Sequence, residues 1–282
     1  TSALYSGVLR SGFLRDDFPV ITENRWITGA GYIPEIFTST LWGFYSGDFI
    51  NTPSNYYRPG MHLIYMAAYR LFGTDPAGYH AINLLLHNLN GIMVFLIVSV
   101  LMNKASGGDN ATEEKDKPGS VLFPLAAALL FAVHPVNAEA VAWAAAFSEA
   151  TFTFFCLVSI YIYIRAGLDR HSSVAIYAVS VFFFILALFS KETAVVMPAL
   201  LVSYDLCFGR LTLRSIKRYL PYALAAGVFL YIRSTIVGPL TAEHAMTGYQ
   251  YLLAVILLGS QYIEKLIFPF GLKLYYPFVR PA

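Results

Sequence analysis

Leu84-Leu-Leu-His-Asn-Leu-Asn-Gly-Ile-Met-Val-Phe-Leu-Ile-Val-Ser-Val-Leu-Met102 runs without a charged residue. As a helix rising 1.5 Å per residue it is long enough to cross a hydrocarbon core of roughly 30 Å. Asp75-Pro76 marks the start, an N-cap followed by a proline at the first helical position. The polar loop 103–120 closes the run. Further apolar runs fall at 121–135, 150–165, 174–189, 194–208, 219–237 and 249–268. His134-Pro135 ends the second, and 138–147 reads as a short helix near the membrane surface. The pattern predicts an all-α polytopic membrane protein.

Composition agrees. Hydrophobic residues make up 57% of the 282-residue chain and charged residues 13%, about half the share usual in a soluble domain. Mean hydropathy is +0.58. A net charge of +2 gives no electrostatic footprint for nucleic acid. Cys156 and Cys207 sit apart in apolar segments and support neither a disulfide framework nor a Cys/His metal site. The chain opens on Thr1 with no visible signal peptide. We expect one single transmembrane domain fragment over 1–282, with a first helix upstream and a C-terminal region beyond Ala282. That makes eight spans in all.

Lysine and arginine set the orientation. Lys104/Lys115/Lys117, Arg165/Arg170 and Arg210/Arg214/Lys217/Arg218 alternate with loops nearly free of them, which places these loops in the cytoplasm. The first non-cytoplasmic loop is then about 14–79. Its pieces Tyr32–Phe44 and Pro59–Phe72, with Trp26, Trp42, Tyr56, Tyr57 and Tyr65, suit helices lying at the interface. Asn110-Ala-Thr112 matches a glycosylation acceptor but falls on the cytoplasmic side. No inverted pair of broken helices points to a transporter.

On this map the unusual polar residues gather at the non-cytoplasmic face. Asp16 and Asp17 are either a solvated turn or a general base and its neighbour. Two such carboxylates can also hold Mg²⁺ or Mn²⁺ through oxygen. Arg58 either anchors a helix start or forks onto a phosphate. His134 either ends a helix or joins Lys191 and Arg233 in holding an anion. Glu139 is a lone acid in an apolar stretch. Ser190-Lys-Glu-Thr193 reads as a helix cap, although Lys191 and Glu192 also stand near the expected site, with His62 and His80. His87 and Asn88 read as interhelical hydrogen-bond partners.

The order of an acid pair, Tyr57-Arg-Pro-Gly60, Gly78-Tyr-His-Ala-Ile-Asn83 with Leu86-His87, Phe131-Ala-Val-His-Pro-Val-Asn-Ala-Glu-Ala-Val141, Ser190-Lys-Glu-Thr193 and Ser203-Tyr-Asp205 resembles the membrane part of the transmembrane and tetratricopeptide-repeat O-mannosyltransferases and their bacterial relatives. No repeats are visible here, and Leu272–Pro277 matches only loosely. The resemblance implies a C-type glycosyltransferase-like helix bundle using a polyprenyl- or dolichyl-phosphate sugar as co-substrate. It maps Asp16, with Asp17 close behind, onto the acid that acts near the acceptor hydroxyl. A protein Ser or Thr is the expected acceptor, with a glycolipid or envelope polysaccharide as the alternative. A lipid-linked sugar flippase is the rival from another class. The expected location is a bacterial inner membrane or the endoplasmic reticulum membrane.

Overall fold

The structure, a computed structural model, describes residues 1–45, 54–105, 119–168, 174–209, 211–212, 216–238 and 247–273. Among these the elements are helical throughout: α1 Ser2–Tyr5, α2 Ile33–Thr38, α3 Pro59–Phe72, α4 Pro76–Ala105, α5 Gly119–Val133, α6 Ala138–Ala142, α7 Phe147–Leu168, α8 Val174–Ser190, α9 Met197–Cys207, α10 Ile216–Val237 and α11 Gly248–Ile267. Short 3-10 and π turns join them. Asn110–Thr112, Lys115, Lys117, Arg170, Arg210, Arg214 and 274–277 lie outside the described residues.

Three segments are long and apolar enough to cross a membrane: Pro76–Ala105, Ala144–Leu168 and Ile216–Val237. Val121–Val133 and Pro135–Ala142 form a fourth if the pair, bent by 48° at His134, is one span. α4 begins earlier than its apolar run, because Asp75 accepts the Ala77 N–H at 3.1 Å and opens the helix at Pro76. Polar side chains tie the bundle where lipid offers no alternative partner. His87 donates to the Ala132 carbonyl at 3.0 Å and Asn90 to that of Ala150 at 3.0 Å. Asn88 instead bonds its own helix at Leu84 and the Ser2 hydroxyl.

Of the two helices expected in the first loop, Pro59–Phe72 forms with those bounds as α3, and the other differs. Tyr32–Phe44 is only the short α2 followed by turns. Trp26, Tyr57 and Tyr65 are buried, not spread in the headgroup layer. Val20, Ile27, Ile36, Phe44 and Met61 close around Trp26 and Tyr65, and Phe147 of α7 joins them. Aromatic side chains of this size stabilise most when fully enclosed, and the loop is long enough to enclose them. His62 belongs to this core. Its Nε2 donates to the Leu41 carbonyl at 3.1 Å, and its Nδ1 accepts from Asn24 at 3.2 Å. Burial lowers its pKa to about 4.

Side-chain bonds show which helix ends share a face. Asn83 of α4 meets Trp143, Lys191 after α8 meets Glu149 of α7, and Arg233 of α10 meets Asn55. We call this the loop face. At the far face, Tyr163 and Tyr219 donate to the buried Asp205 carboxylate at 2.5 and 2.7 Å, and Lys104 reaches Tyr204. α11 does not fit an alternating series. Its predecessor α10 ends on the loop face, yet Leu266 in the last turn of α11 accepts from His134 on that same face, at 3.0 Å. Only Ala254 of α11 is buried, and Glu264 and Lys265 fall near its end. The run 249–268 forms the amphipathic helix α11, about 30 Å long, whose last turn stands on the loop face at His134.

Candidate functional site

The acid pair splits into two different groups. Arg15 sits at φ 43°, in the left-handed region that costs a residue with a Cβ about 1–2 kcal/mol. The tight turn that follows sends the two aspartates to different surroundings. Asp17 is buried, and both of its oxygens are occupied. Oδ2 accepts the Leu14 N–H at 2.8 Å and Oδ1 the Ala145 N–H at 2.6 Å. Ala145 lies in the turn that begins α7, where backbone N–H groups lack helical partners. Asp17 thus fastens the loop to the head of a membrane helix. Burial pushes its carboxyl above the usual carboxylate range, the two N–H donors oppose that shift, and the Asp16 charge adds to it. Asp16 is exposed; its backbone carbonyl accepts the Val20 N–H at 3.1 Å, and its carboxylate forms no hydrogen bond or ion pair with another described residue.

The expected anion-binding cations are already paired. Arg58 Nε donates to Glu192 Oε2 at 2.9 Å, with the two side chains 14% and 17% exposed. The other oxygen of Glu192 accepts the Tyr57 N–H at 2.8 Å. Arg58 also lies over the Tyr56 ring at 4.5 Å. Lys191 pairs with Glu149, and the Phe152 ring is 5.4 Å away. Glu139, exposed on α6, is within electrostatic reach of both Lys191 and Glu149. Gly60 allows this crossing: a Cβ there would lie 2.9 Å from the Phe189 carbonyl at the end of α8.

Other expected site residues have structural partners. His134 Nδ1 accepts the Val136 N–H at 3.2 Å while Nε2 donates to Leu266, so the ring clips α5 to α11. Arg233 donates through Nη2 to Asn55, and its buried Nε has no partner among the described residues. His62 is the core residue described above. His80, on α4, is buried against the backbone of Ser11 and Gly12, with no well-formed hydrogen bond at either ring nitrogen.

Sequence reasoning missed Glu149, Lys265 and Lys273. Glu149 was legible as the one acid in the first turn of a long apolar helix. The two lysines fall in the last turn of α11 and just beyond it, where the C-terminal half of that helix and residues 135–142 enclose a cleft of about 620 Å³. Pro135, Val136, Ala138, Ala142, Leu258, Tyr262 and Leu272 form apolar walls, and Glu139, Gln261, Lys265 and Lys273 are its polar lining. A divalent cation does not fit the acid pair as placed, since both oxygens of Asp17 accept backbone N–H groups. No group of three His, Cys, Asp or Glu side chains converges among the described residues.

Comparison with known proteins gives a consistent set of relatives. The chain is 30% identical over 192 residues to the protein O-mannosyl-transferase Tmtc1 of Drosophila melanogaster, covering 68% of this chain and 20% of the relative. It is 28% identical over 200 residues to TMTC4 of Homo sapiens, covering 69% and 26%. To human TMTC3 it is 25% identical over 205 residues, covering 72% and 20%. Both are also protein O-mannosyl-transferases by name. The chain thus spans about a fifth to a quarter of the length of these relatives. No family model and no solved structure matches it.

Proposed function

This chain belongs to the transmembrane and tetratricopeptide-repeat O-mannosyltransferase family, and from that premise we propose that it moves mannose or a similar sugar to a hydroxyl, with a protein Ser or Thr as acceptor. The donor is a sugar on polyprenyl or dolichyl phosphate, the fold is the C-type glycosyltransferase bundle, and the loop face is the non-cytoplasmic one. The observation that carries this reading is the division within the acid pair. Asp16 is exposed and unengaged, while Asp17 is spent on holding its loop to α7.

Asp16 takes the proton of the acceptor hydroxyl as the oxygen attacks the anomeric carbon. The bond between that carbon and the phosphate oxygen breaks, and the lipid phosphate leaves with the electron pair. A single displacement inverts the anomeric configuration. Asp17 contributes geometry, since a base held within hydrogen-bond reach of its proton is worth far more than one that wanders. Arg58–Glu192 and Lys191–Glu149 brace α3, α7 and α8 around the same face.

The test is transfer from a polyprenyl-phosphate mannose to a Ser/Thr peptide, read as release of free polyprenyl phosphate. Wild type should release it only when acceptor is present. Asp16→Asn should reduce release by about 10²-fold or more without loss of folded protein. Full activity in Asp16→Asn would remove the assignment. Movement of the donor across vesicles without release would indicate a flippase instead.

A further inference from the structure

We propose that Tyr65 of α3 and Asn83 of α4 are positioning residues for the acid pair, acting on Asp17 through the peptide groups of the turn 143–146; this rests on the reading of Asp16 as the base. Three separate parts of the chain hold successive residues of that turn. Asn83 donates through Nδ2 to the Trp143 carbonyl at 2.7 Å, and Tyr65 donates its hydroxyl to the Ala144 carbonyl at 3.1 Å. Asp17 accepts the Ala145 N–H at 2.6 Å. All three side chains are buried.

Two of these bonds meet on one peptide group. The Ala144 carbonyl and the Ala145 N–H are the two ends of a single planar trans amide, so they point in opposite directions and turn together. Tyr65 fixes the oxygen from one side and Asp17 the hydrogen from the other. A hydroxyl donated to an amide oxygen also polarises the amide and strengthens its N–H as a donor. Tyr65, the amide and Asp17 therefore form one cooperative chain that ends beside Asp16. The Tyr65 phenol is held well above its ordinary pKa by burial first and then by the charge of Asp17, with Asp16 adding to the shift, so it senses both carboxylates. Asn83 fixes the preceding peptide, whose Trp143 oxygen also accepts the Ala146 N–H at 3.0 Å. Such bonds are needed here because Trp143 is extended, at φ −98° and ψ 121°, and breaks the helical ladder between α6 and α7. Held from α3 and α4, the turn presents its N–H to Asp17 in one orientation.

The experiment measures kcat and KM for transfer from polyprenyl-phosphate mannose to a Ser/Thr peptide by the full-length protein, with thermal midpoints alongside. Tyr65→Phe removes one oxygen and keeps the ring stacked on Phe147 at 4.7 Å. It should lower kcat by about three- to tenfold, the worth of one hydrogen bond, and change the acceptor KM by less than about twofold. Asn83→Leu should do the same from α4, and it carries the test if Tyr65→Phe does not fold. Asn83 Oδ1 has no partner among the described residues, so that substitution removes one bond. Tyr79→Phe is the control. It takes a phenol from the same aromatic core, one that donates to the Gly73 carbonyl at 2.7 Å, and should lower the midpoint with kcat unchanged. In an Asp17→Ala background neither Tyr65→Phe nor Asn83→Leu should reduce kcat further. An equal loss of kcat in Tyr79→Phe, or losses that multiply with that of Asp17→Ala, overturn the proposal. Wild-type kcat in both variants while Asp16→Asn is inactive sinks this inference alone. Full transfer by Asp16→Asn sinks the base reading and this inference with it.

Discussion

Asp17 accepts the Ala145 N–H at 2.6 Å, joining residues 128 apart in sequence and fixing the acid-pair loop to the head of α7. The bond turns two chemically identical neighbours into an anchor and a free carboxylate.

Removing the anchor should cost stability. Asp17→Ala strands the Leu14 and Ala145 N–H groups, and a buried unsatisfied donor costs about 1–3 kcal/mol. We expect a clear drop in the thermal midpoint of the solubilised protein, with transfer falling secondarily. Unchanged stability with abolished transfer would mean that Asp17 touches substrate itself.

The Arg58–Glu192 pair should behave as a coupled unit. Glu192→Gln leaves Arg58 largely buried without its counter-charge and weakens the acceptor for the Tyr57 N–H. A loss of about 2–4 kcal/mol follows for a largely buried pair. Arg58→Gln in the same chain should recover part of it, and a double-mutant cycle on unfolding should read a coupling of about 1–3 kcal/mol. Additive losses would show that the pair is incidental.

Gly60→Ala should destabilise the crossing of α3 over α8. The new Cβ would lie 2.9 Å from the Phe189 carbonyl, backbone that cannot turn aside. Overpacking of this kind costs about 1–3 kcal/mol. A wild-type melting curve for this variant would contradict the close approach.

His62 sets a pH dependence. Its pKa falls from 6.5 in the unfolded chain to about 4 in the core, because burial disfavours the charged ring. The unfolded chain therefore binds the proton first as pH falls. Stability should be unaffected by this residue above pH 6.5 and decline between 6.5 and about 4, by about 3 kcal/mol in total. His62→Gln should flatten that part of a stability-against-pH curve. A slope unchanged by the substitution would assign it to other groups.

The position of α11 can be read by labelling. In a background of Cys156→Ala and Cys207→Ser, cysteines placed at Arg15 and at Lys273 should react with an impermeant maleimide from the same side of sealed vesicles. One placed at Ile216 should react from the other side. Labelling of Lys273→Cys together with Ile216→Cys would instead mean that α11 spans the membrane.

Much of the helix bundle was legible because a membrane leaves few choices. Backbone groups in hydrocarbon must be satisfied within the segment, so an uncharged run such as 84–102 has to be helical. Asp75-Pro76 gave the start of α4, and the His134-Pro135 break gave the bend after α5. The loop 14–79 was harder, since an aromatic residue such as Trp26 suits either a headgroup layer or a small core, and only its neighbours decide.

The sequence by itself determined the class of the molecule, the acid pair, the Arg58 and Lys191 motifs and the family they resemble. It could not say that Asp17 is consumed by backbone donors, or that both cations are neutralised by Glu192 and Glu149. Nor could it put Lys265 and Lys273 on the face of the acid pair. Hydropathy is a property of a segment and is written along the chain. Pairing depends on which distant segments meet, and two aspartates with the same chemistry acquire different roles only when one of them faces Ala145.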